Sequence, residues 1–174
     1  MSAKENSGTT VLPESSRELS KSETGGDDAL ALSITAPKIG AVLRDSSGTV
    51  IMAMSKIEES VEESEAIELL AIFRGMQLCV NMRIQNLLVE SDSKMVIEAL
   101  QTDSMLNSFL GVLYQEVKIF DTHFVNCNYS HIYRECNMVA HKLARHAQWV
   151  DDICVWLDSI PNCISQAIWL DNCL

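Results

Sequence analysis

Three separate segments of the chain contain side chains that could hold a metal ion or move a proton. Glu68 lies on an otherwise apolar side of a predicted helix, Asp92 follows a short apolar run, and His131 opens a polar segment. Carboxylate oxygens are the ligands that hard divalent cations prefer, and imidazole exchanges protons near neutral pH. If folding brings Glu68 and Asp92 side by side at the edge of a sheet, a doubly charged ion could sit between them.

Each of these residues also has an ordinary structural interpretation. Asp92 could cap the helix that follows it by accepting backbone N–H groups, a role for which Ser93 competes. Taken alone, Glu68 is better explained as a solvated helix residue and His131 as a hydrogen-bonded strand residue. Asn137 is best explained as the N-cap of the last predicted helix. The chemical interpretation therefore depends on the elements that position these segments.

Apolar periodicity predicts those elements. Strands are expected at residues 29–35, 39–44, 50–57, 86–90 and 123–133, and helices at residues 64–81, 94–101, 109–120 and 137–148. Gly75 falls inside the first helix, which suggests close packing of another backbone or a tolerated flaw that costs roughly 1 kcal/mol. Antiparallel strands followed by β–α alternation predict an α/β fold, with a mixed five-stranded sheet and helices on both faces.

The two ends of the chain differ from this pattern. Residues 1–28 are rich in Ser, Thr, Glu, Lys and Gly and lack apolar periodicity, so we expect a disordered leader. Residues 29–174 form the expected domain. Its last part, which includes Trp156, Pro161 and Trp169, is expected to dock on that domain as a tail.

Charge and composition limit the classes of partner. The 174 residues include 13 basic and 24 acidic ones, which gives a net charge of −11. A net negative chain gains no long-range attraction to phosphate, so tight, sequence-blind nucleic-acid binding is not expected. Lys142, Arg145 and His146 could form a small positive patch, but the sequence favours an ordinary solvated face.

Cysteine usage and hydropathy point to the compartment. The six cysteines include no CxxC pair, so the sequence lacks the usual structural-zinc pattern and any short disulfide framework. We also expect no signal peptide, and the sequence contains no apolar run near ~18 residues. We expect a soluble, reduced, intracellular protein of the nucleus or cytoplasm that makes no contact with membranes.

The order and spacing of the motifs resemble the plant-type ribonuclease H-like domain, a reverse-transcriptase-associated family related to retroelements. The resemblance covers about residues 39–174. It consists of the hairpin IGAVLRDSSGTV, Glu68 before Arg74-Gly75, the VESDS turn at residues 89–93, the run H-x-x-R-E-x-N-x-x-A-H-x-L-A from His131 to Ala144, and the tail residues Trp156, Pro161 and Asp171. The long run combined with VESDS is the specific part.

This resemblance implies an enzyme that cuts the RNA strand of an RNA–DNA hybrid with two Mg²⁺ ions, or Mn²⁺ ions, held by acidic residues. By position, Glu68 matches the family's helix glutamate and Asp92 the aspartate after the fourth strand. His131 matches a mobile-loop histidine that assists product release or proton transfer. The final helix aspartate falls at His141. The first-strand aspartate has Asp28 as its candidate, which would be the third metal ligand.

Two departures from the family pattern predict weak or lost catalysis. His141 removes a negative charge and suits transition metals better than Mg²⁺. No apolar strand precedes Asp28, so the first strand is diverged or missing; if residues 29–35 form it, its centre holds Leu and Ala. Removing one catalytic electrostatic group costs ~10²–10³ in rate. We expect weak binding of RNA–DNA hybrid or other nucleic acid, with hydrolysis weak or absent. The alternatives are an active Mg²⁺-dependent ribonuclease and a non-catalytic protein-interaction or retroelement-derived remnant module with unspecified protein partners.

Overall fold

The computed structural model describes residues 29–35, 38–58, 64–102, 110–157 and 160–171. The predicted disordered leader, residues 1–28, lies outside the described residues, and Asp28 with it. The predicted start of the 109–120 helix also falls outside them.

The described residues contain six strands and five α-helices. The strands are β1 Leu30–Thr35, β2 Ile39–Arg44, β3 Val50–Lys56, β4 Asn86–Ser91, β5 Asn126–His131 and β6 Ile153–Leu157. The helices are α1 Ser64–Asn81, α2 Lys94–Thr102, α3 Gly111–Asp121, α4 Met138–His146 and α5 Ser165–Asp171. Short 3₁₀ helices cover Arg134–Asn137, Ala147–Trp149 and Asn162–Ile164.

The strands form one mixed sheet in the order β5-β4-β1-β2-β3-β6. β2 is antiparallel to β1 and β3, β6 is antiparallel to β3, and β4 runs parallel to both β1 and β5. The register pairs Ile34 of β1 with Ser91 of β4. One residue further along these parallel strands, Thr35 and Asp92 lie level with one another. Because side chains alternate between the faces of a sheet, Thr35 and Asp92 lie on the face opposite to that of Ile34 and Ser91.

Each face of the sheet is covered by helices. On one face, Leu32, Ile34 and Val89 pack in a core with α1, α2 and α3. On the other face, Val42 and Ala53 pack against α4 and the segment around α5. Thr35 and Ser33 alternate with Leu32 and Ile34, so their side chains point to the α4 face. The sheet is therefore the middle layer of three.

The helix α4 crosses the sheet in direct contact with β2, and Gly40 makes this possible. A Cβ at Gly40 would lie 2.1 Å from the carbonyl oxygen of Ala140 and 2.4 Å from the amide nitrogen of Ala144. Every other residue has a Cβ, so a substitution there would push α4 away from the sheet. Ser55 Oγ donates a hydrogen bond to the Leu143 carbonyl at 2.8 Å, which also fixes the helix.

The predicted α/β fold, with a mixed sheet and helices on both faces, is confirmed. The structure adds two features: the first strand is present at residues 30–35, and β6 makes a sixth strand from the predicted tail. Gly75 of α1 faces side chains and not another backbone, because a Cβ there would lie 2.9 Å from the tip of Leu32 and 3.1 Å from that of Ile34. None of the described helices is long and apolar enough to cross a membrane.

Candidate functional site

Polar side chains converge where β1 and β4 end, beneath α4. Thr35 is the last residue of β1, Asp92 follows β4, and His141 lies on α4. Thr35 Oγ1 lies 3.4 Å from Asp92 Oδ1, to which it donates, and 3.1 Å from His141 Nδ1. His141 Nε2 lies 3.3 Å from Asp92 Oδ2. Thr35, Asp92 and His141 therefore form one contact cluster, which we call the strand-end cluster.

The carboxylate of Asp92 is engaged by the protein at both oxygens. Asn137 Nδ2 donates to Asp92 Oδ1 at 2.9 Å, and the same amide donates to the carbonyl of Ile34 at 2.7 Å. On the other oxygen, Arg134 Nη1 lies 3.9 Å from Oδ2, beside the imidazole. Asn137 is almost fully buried, so it ties β1 to Asp92 inside the protein.

The imidazole of His141 is held in a buried position, with 9% of the residue exposed. Burial lowers its pKa and outweighs the charge of Asp92, which raises it; the positive charge of Arg134 adds to the lowering. Because an unperturbed imidazole is already mostly neutral at pH 7, the lowered pKa keeps His141 uncharged there. His141 consequently supplies a ring nitrogen next to Asp92 but no charge.

Glu68 reaches the same end of β4 from the opposite face of the sheet. Only 7% of this residue is exposed, and its Oε2 accepts a hydrogen bond of 3.1 Å from Ser91 Oγ. Ser91 Oγ in turn accepts from the Ser93 amide at 3.1 Å. Ser91 and Asp92 are consecutive residues, so the two acids flank one strand end. Glu68 is thus a buried, hydrogen-bonded residue and not the solvated helix residue that its local sequence favours.

Two of the local interpretations are corrected by these contacts. The carboxylate of Asp92 contacts Thr35, Asn137 and His141, and no described hydrogen bond connects it to the backbone of α2. Asn137 precedes α4, but its side chain makes no capping hydrogen bond. Asp92 and Asn137 instead contact residues that are distant in the sequence, because β1, β4 and α4 meet at this point. Neither local segment reveals that meeting.

Of the predicted site residues that the structure describes, His131 is not brought into the strand-end cluster. His131 ends β5, next to Ser91 in the sheet, but its side chain is exposed and its ring packs edge-on against Tyr133 at 5.7 Å. Asp28 lies outside the described residues. The position at the end of β1, where the predicted first-strand acid would face Asp92, is occupied by Thr35.

Thr35 is the site residue that sequence reasoning missed. The family pattern requires an acid in the first strand, and a threonine at the end of an apolar run is unremarkable. The signal that could have found it is register: β1 and β4 are parallel, and Thr35 is the residue of β1 that lies level with Asp92. Ser33 and Glu90, two residues back on the same two strands, repeat the pattern with a hydrogen bond of 2.9 Å.

Residues 29–147 match the reverse-transcriptase-like family, which covers most of the described chain and every residue of the strand-end cluster. This chain belongs to the reverse-transcriptase-like family. The fold agrees, because the mixed sheet and its helices are those of an RNase H-like domain. The plant affiliation stays a prediction. No curated protein matches the sequence.

Solved structures share this RNase H-like fold. RNase H1 from the halophilic archaeon Halobacterium salinarum is 17% identical with a TM-score of 0.64, over 69% of this chain and 97% of that one. LC11-RNase H1, solved in complex with an RNA/DNA hybrid, is 20% identical with a TM-score of 0.60, over 68% and 95%. The prototype foamy virus protease–reverse transcriptase is 14% identical with a TM-score of 0.56, over 72% of this chain but 21% of that one. At these identities the likeness shows the fold alone.

Among the residues that the structure describes, the donors do not form the Mg²⁺ site that the family resemblance implies. Among the described residues, no group of three or more His, Cys, Asp or Glu side chains is arranged to hold a metal ion. Mg²⁺ requires near-octahedral oxygen ligation, and two of the four expected carboxylates are here a hydroxyl, Thr35, and an imidazole, His141. The carboxylates of Asp92 and Glu68 already accept hydrogen bonds from protein donors. The donor set therefore does not fit a pair of Mg²⁺ ions.

Proposed function

We propose that this RNase H-like domain binds RNA–DNA hybrid or other nucleic acid weakly and hydrolyses the RNA strand slowly or not at all. The observation that supports this most directly is the strand-end cluster itself. Thr35 and His141 contact Asp92 where the family resemblance expects two further aspartates. The family and fold favour a nucleic-acid role, and the substitutions remove the negative charge that metal-dependent hydrolysis needs.

The expected loss of rate follows from the charge count. A site of four carboxylates carries four negative charges, whereas Glu68 and Asp92 supply two. Losing one electrostatic group of this kind costs on the order of 10²–10³ in rate, and the effects of two such losses are not additive. Residual hydrolysis would depend on Mg²⁺ or Mn²⁺, because those ions are the cofactors expected from the resemblance.

Hydrolysis is tested with a hybrid whose RNA strand is end-labelled. Purified protein is incubated with the hybrid in Mg²⁺ or Mn²⁺, beside Asp92→Asn and beside LC11-RNase H1 as the active control. We expect cleavage at least ~10²-fold slower than the control, and any slow metal-dependent cleavage that remains should be lost in Asp92→Asn. Cleavage as fast as the control, and abolished by Asp92→Asn, would establish an active ribonuclease and overturn the catalytic half of the proposal.

Binding is tested separately, by fluorescence anisotropy of the same hybrid, a DNA duplex and single strands. We expect weak affinity that falls steeply with salt and does not change when EDTA replaces Mg²⁺. Absence of binding to all of them at low ionic strength would overturn the nucleic-acid role. Recovery of protein partners after nuclease treatment would then favour the interaction-module alternative.

A further inference from the structure

A cleft of about 440 Å³ opens beside the strand-end cluster, along α4. It is lined by Lys38, Arg134, Met138, His141, Lys142, Ala144, Arg145 and Gln148. Four of these residues are cationic, and among the described lining residues none is Asp or Glu. This composition is opposite to that of the chain as a whole, in which 24 acidic residues face 13 basic ones.

The four cations come from three parts of the fold. Lys38 lies between β1 and β2, Arg134 is in the 3₁₀ helix before α4, and Lys142 and Arg145 are on α4. In the described part of the chain, Lys38, Lys142 and Arg145 form no ion pair, and Arg134 has only its long contact of 3.9 Å with Asp92. Arg134 is 71% exposed despite that contact. Their charges are therefore available to a ligand in the cleft.

The field of these cations reaches the floor of the cleft. Besides burial, which is the largest cause, the charges of Arg134 and Arg145 both lower the pKa of buried His141. His146, in contrast, packs its ring against Trp156 at 5.4 Å and is not one of the lining residues. The positive surface is thus formed by Lys38, Arg134, Lys142 and Arg145.

We infer that this cleft is the contact surface for the phosphate backbone of a bound nucleic acid strand, which rests on the proposed function. The distance along the helix favours a polymer over a single phosphate. Along α4, from Met138 to Arg145, the helix rises by roughly 10 Å, whereas successive phosphates of one strand advance about 3.4 Å along a duplex axis. Several consecutive phosphates would therefore be within reach. Contacts to phosphate position a strand but carry no sequence information, so we expect binding at this surface to be independent of sequence.

The test compares two double variants that remove the same charge. Lys142→Gln/Arg145→Gln removes two cleft cations, and Arg83→Gln/Lys94→Gln removes two exposed cations elsewhere. Hybrid affinity is measured by anisotropy from low to moderate salt. The logarithm of the association constant falls as the logarithm of the salt concentration rises. Each lost phosphate contact should make this slope less steep by about 0.9 and weaken binding roughly eightfold near 0.1 M salt. We expect a slope reduced by about 2 for the cleft variant, with the control variant like wild type.

The outcomes separate this inference from the proposed function. If both double variants bind the hybrid as strongly as wild type does, the cleft assignment is overturned and the nucleic-acid role stays intact. No binding by wild type would overturn the proposed function. Poly-glutamate of matched charge competing as well as the hybrid would also overturn the inference, because it would assign the cleft to acidic polypeptides. Circular dichroism and thermal unfolding of each variant confirm that it is folded.

Discussion

Replacing Thr35 with aspartate places a second carboxylate against Asp92 at the end of β1. The hydroxyl that it replaces lies 3.4 Å from Asp92 Oδ1 and 3.1 Å from His141 Nδ1. Thr35→Asn is the matched control, because it has the size and shape of aspartate without the charge. If the wild-type cluster fails to hold Mg²⁺ for lack of charge at this position, Thr35→Asp should begin to restore a divalent site.

The size of the effect follows from the separation of the two carboxylates. Two unit charges about 4 Å apart repel by about 4 kcal/mol at an effective dielectric constant of 20. Without metal, this repulsion destabilises Thr35→Asp or drives a proton onto one carboxyl. A divalent ion relieves it. At about 100 times its Kd, such an ion stabilises the folded state by about 2.7 kcal/mol, which is a rise in Tm of roughly 5–10 °C for a chain of this length.

The assay is thermal unfolding of wild type, Thr35→Asp and Thr35→Asn in EDTA and in about 10 mM Mg²⁺, a concentration chosen so that a site of ordinary strength would be well occupied. Only Thr35→Asp should show the Mg²⁺-dependent rise in Tm. Hydrolysis of labelled hybrid by the same three proteins is the second measurement, and we expect a gain in Thr35→Asp alone.

Two results would refute this reasoning. An equal rise in Tm for all three proteins would mean that Glu68 and Asp92 already bind the ion without help from position 35. A folded Thr35→Asp that shows no response to Mg²⁺ would mean that the end of β1 does not face a metal-binding position. In either case Thr35 would lose its assignment as the residue that replaces a ligand.

Further changes test the packing that positions the site. Gly40→Ala should lower the free energy of unfolding by about 3 kcal/mol or more, since its Cβ would strike the backbone of α4. Gly75→Ala meets only flexible side-chain tips and should stay within about 1 kcal/mol of wild type. Asn137→Ala removes the buried amide that donates to both the Ile34 carbonyl and Asp92 Oδ1, so it should lower the free energy of unfolding by about 1–3 kcal/mol. Asn126→Ala loses only an exposed hydrogen bond and should cost less than about 0.5 kcal/mol, with both variants measured by urea unfolding. Cys79, whose pKa burial raises to about 12, should resist iodoacetamide at pH 8 until the protein unfolds, as peptide mass spectrometry would show.

The local pattern of apolar residues predicts a helix or strand correctly where formation of that element does not depend on a distant partner. The helix predicted at residues 64–81 has those bounds in the structure, because its apolar residues follow one helical face and its ends are polar. The sequence predicts β6 only as part of a docking tail. Its five residues, Ile153–Leu157, become a strand by pairing with Met52–Lys56, about a hundred residues earlier, and no local signal indicates that partner.

The sequence identifies the acidic residues of the site but does not identify the uncharged residues Asn137 and Thr35. Asp92 and Glu68 can be identified because carboxylates in apolar surroundings stand out. Asn137 is easily mistaken for a cap because the same side-chain amide can serve a local or a distant acceptor, and only the meeting of β1 with α4 decides between them. Thr35 carries no chemical signal at all. Its role depends on the register of two parallel strands, which the residue types alone do not reveal.

The same substitutions that spoil a metal site favour binding without metal. A cluster of four carboxylates repels a phosphate until divalent ions neutralise it, so affinity and catalysis depend on the same ions. Here Thr35 is uncharged, burial keeps His141 neutral, and Asp92 is engaged by Asn137 and Arg134. The nearby cleft adds four cations, and none of its described lining residues is acidic. The phosphate binding that we propose for this surface would therefore need no divalent ion, so we expect hybrid affinity to survive EDTA even though any residual hydrolysis is lost with the metal.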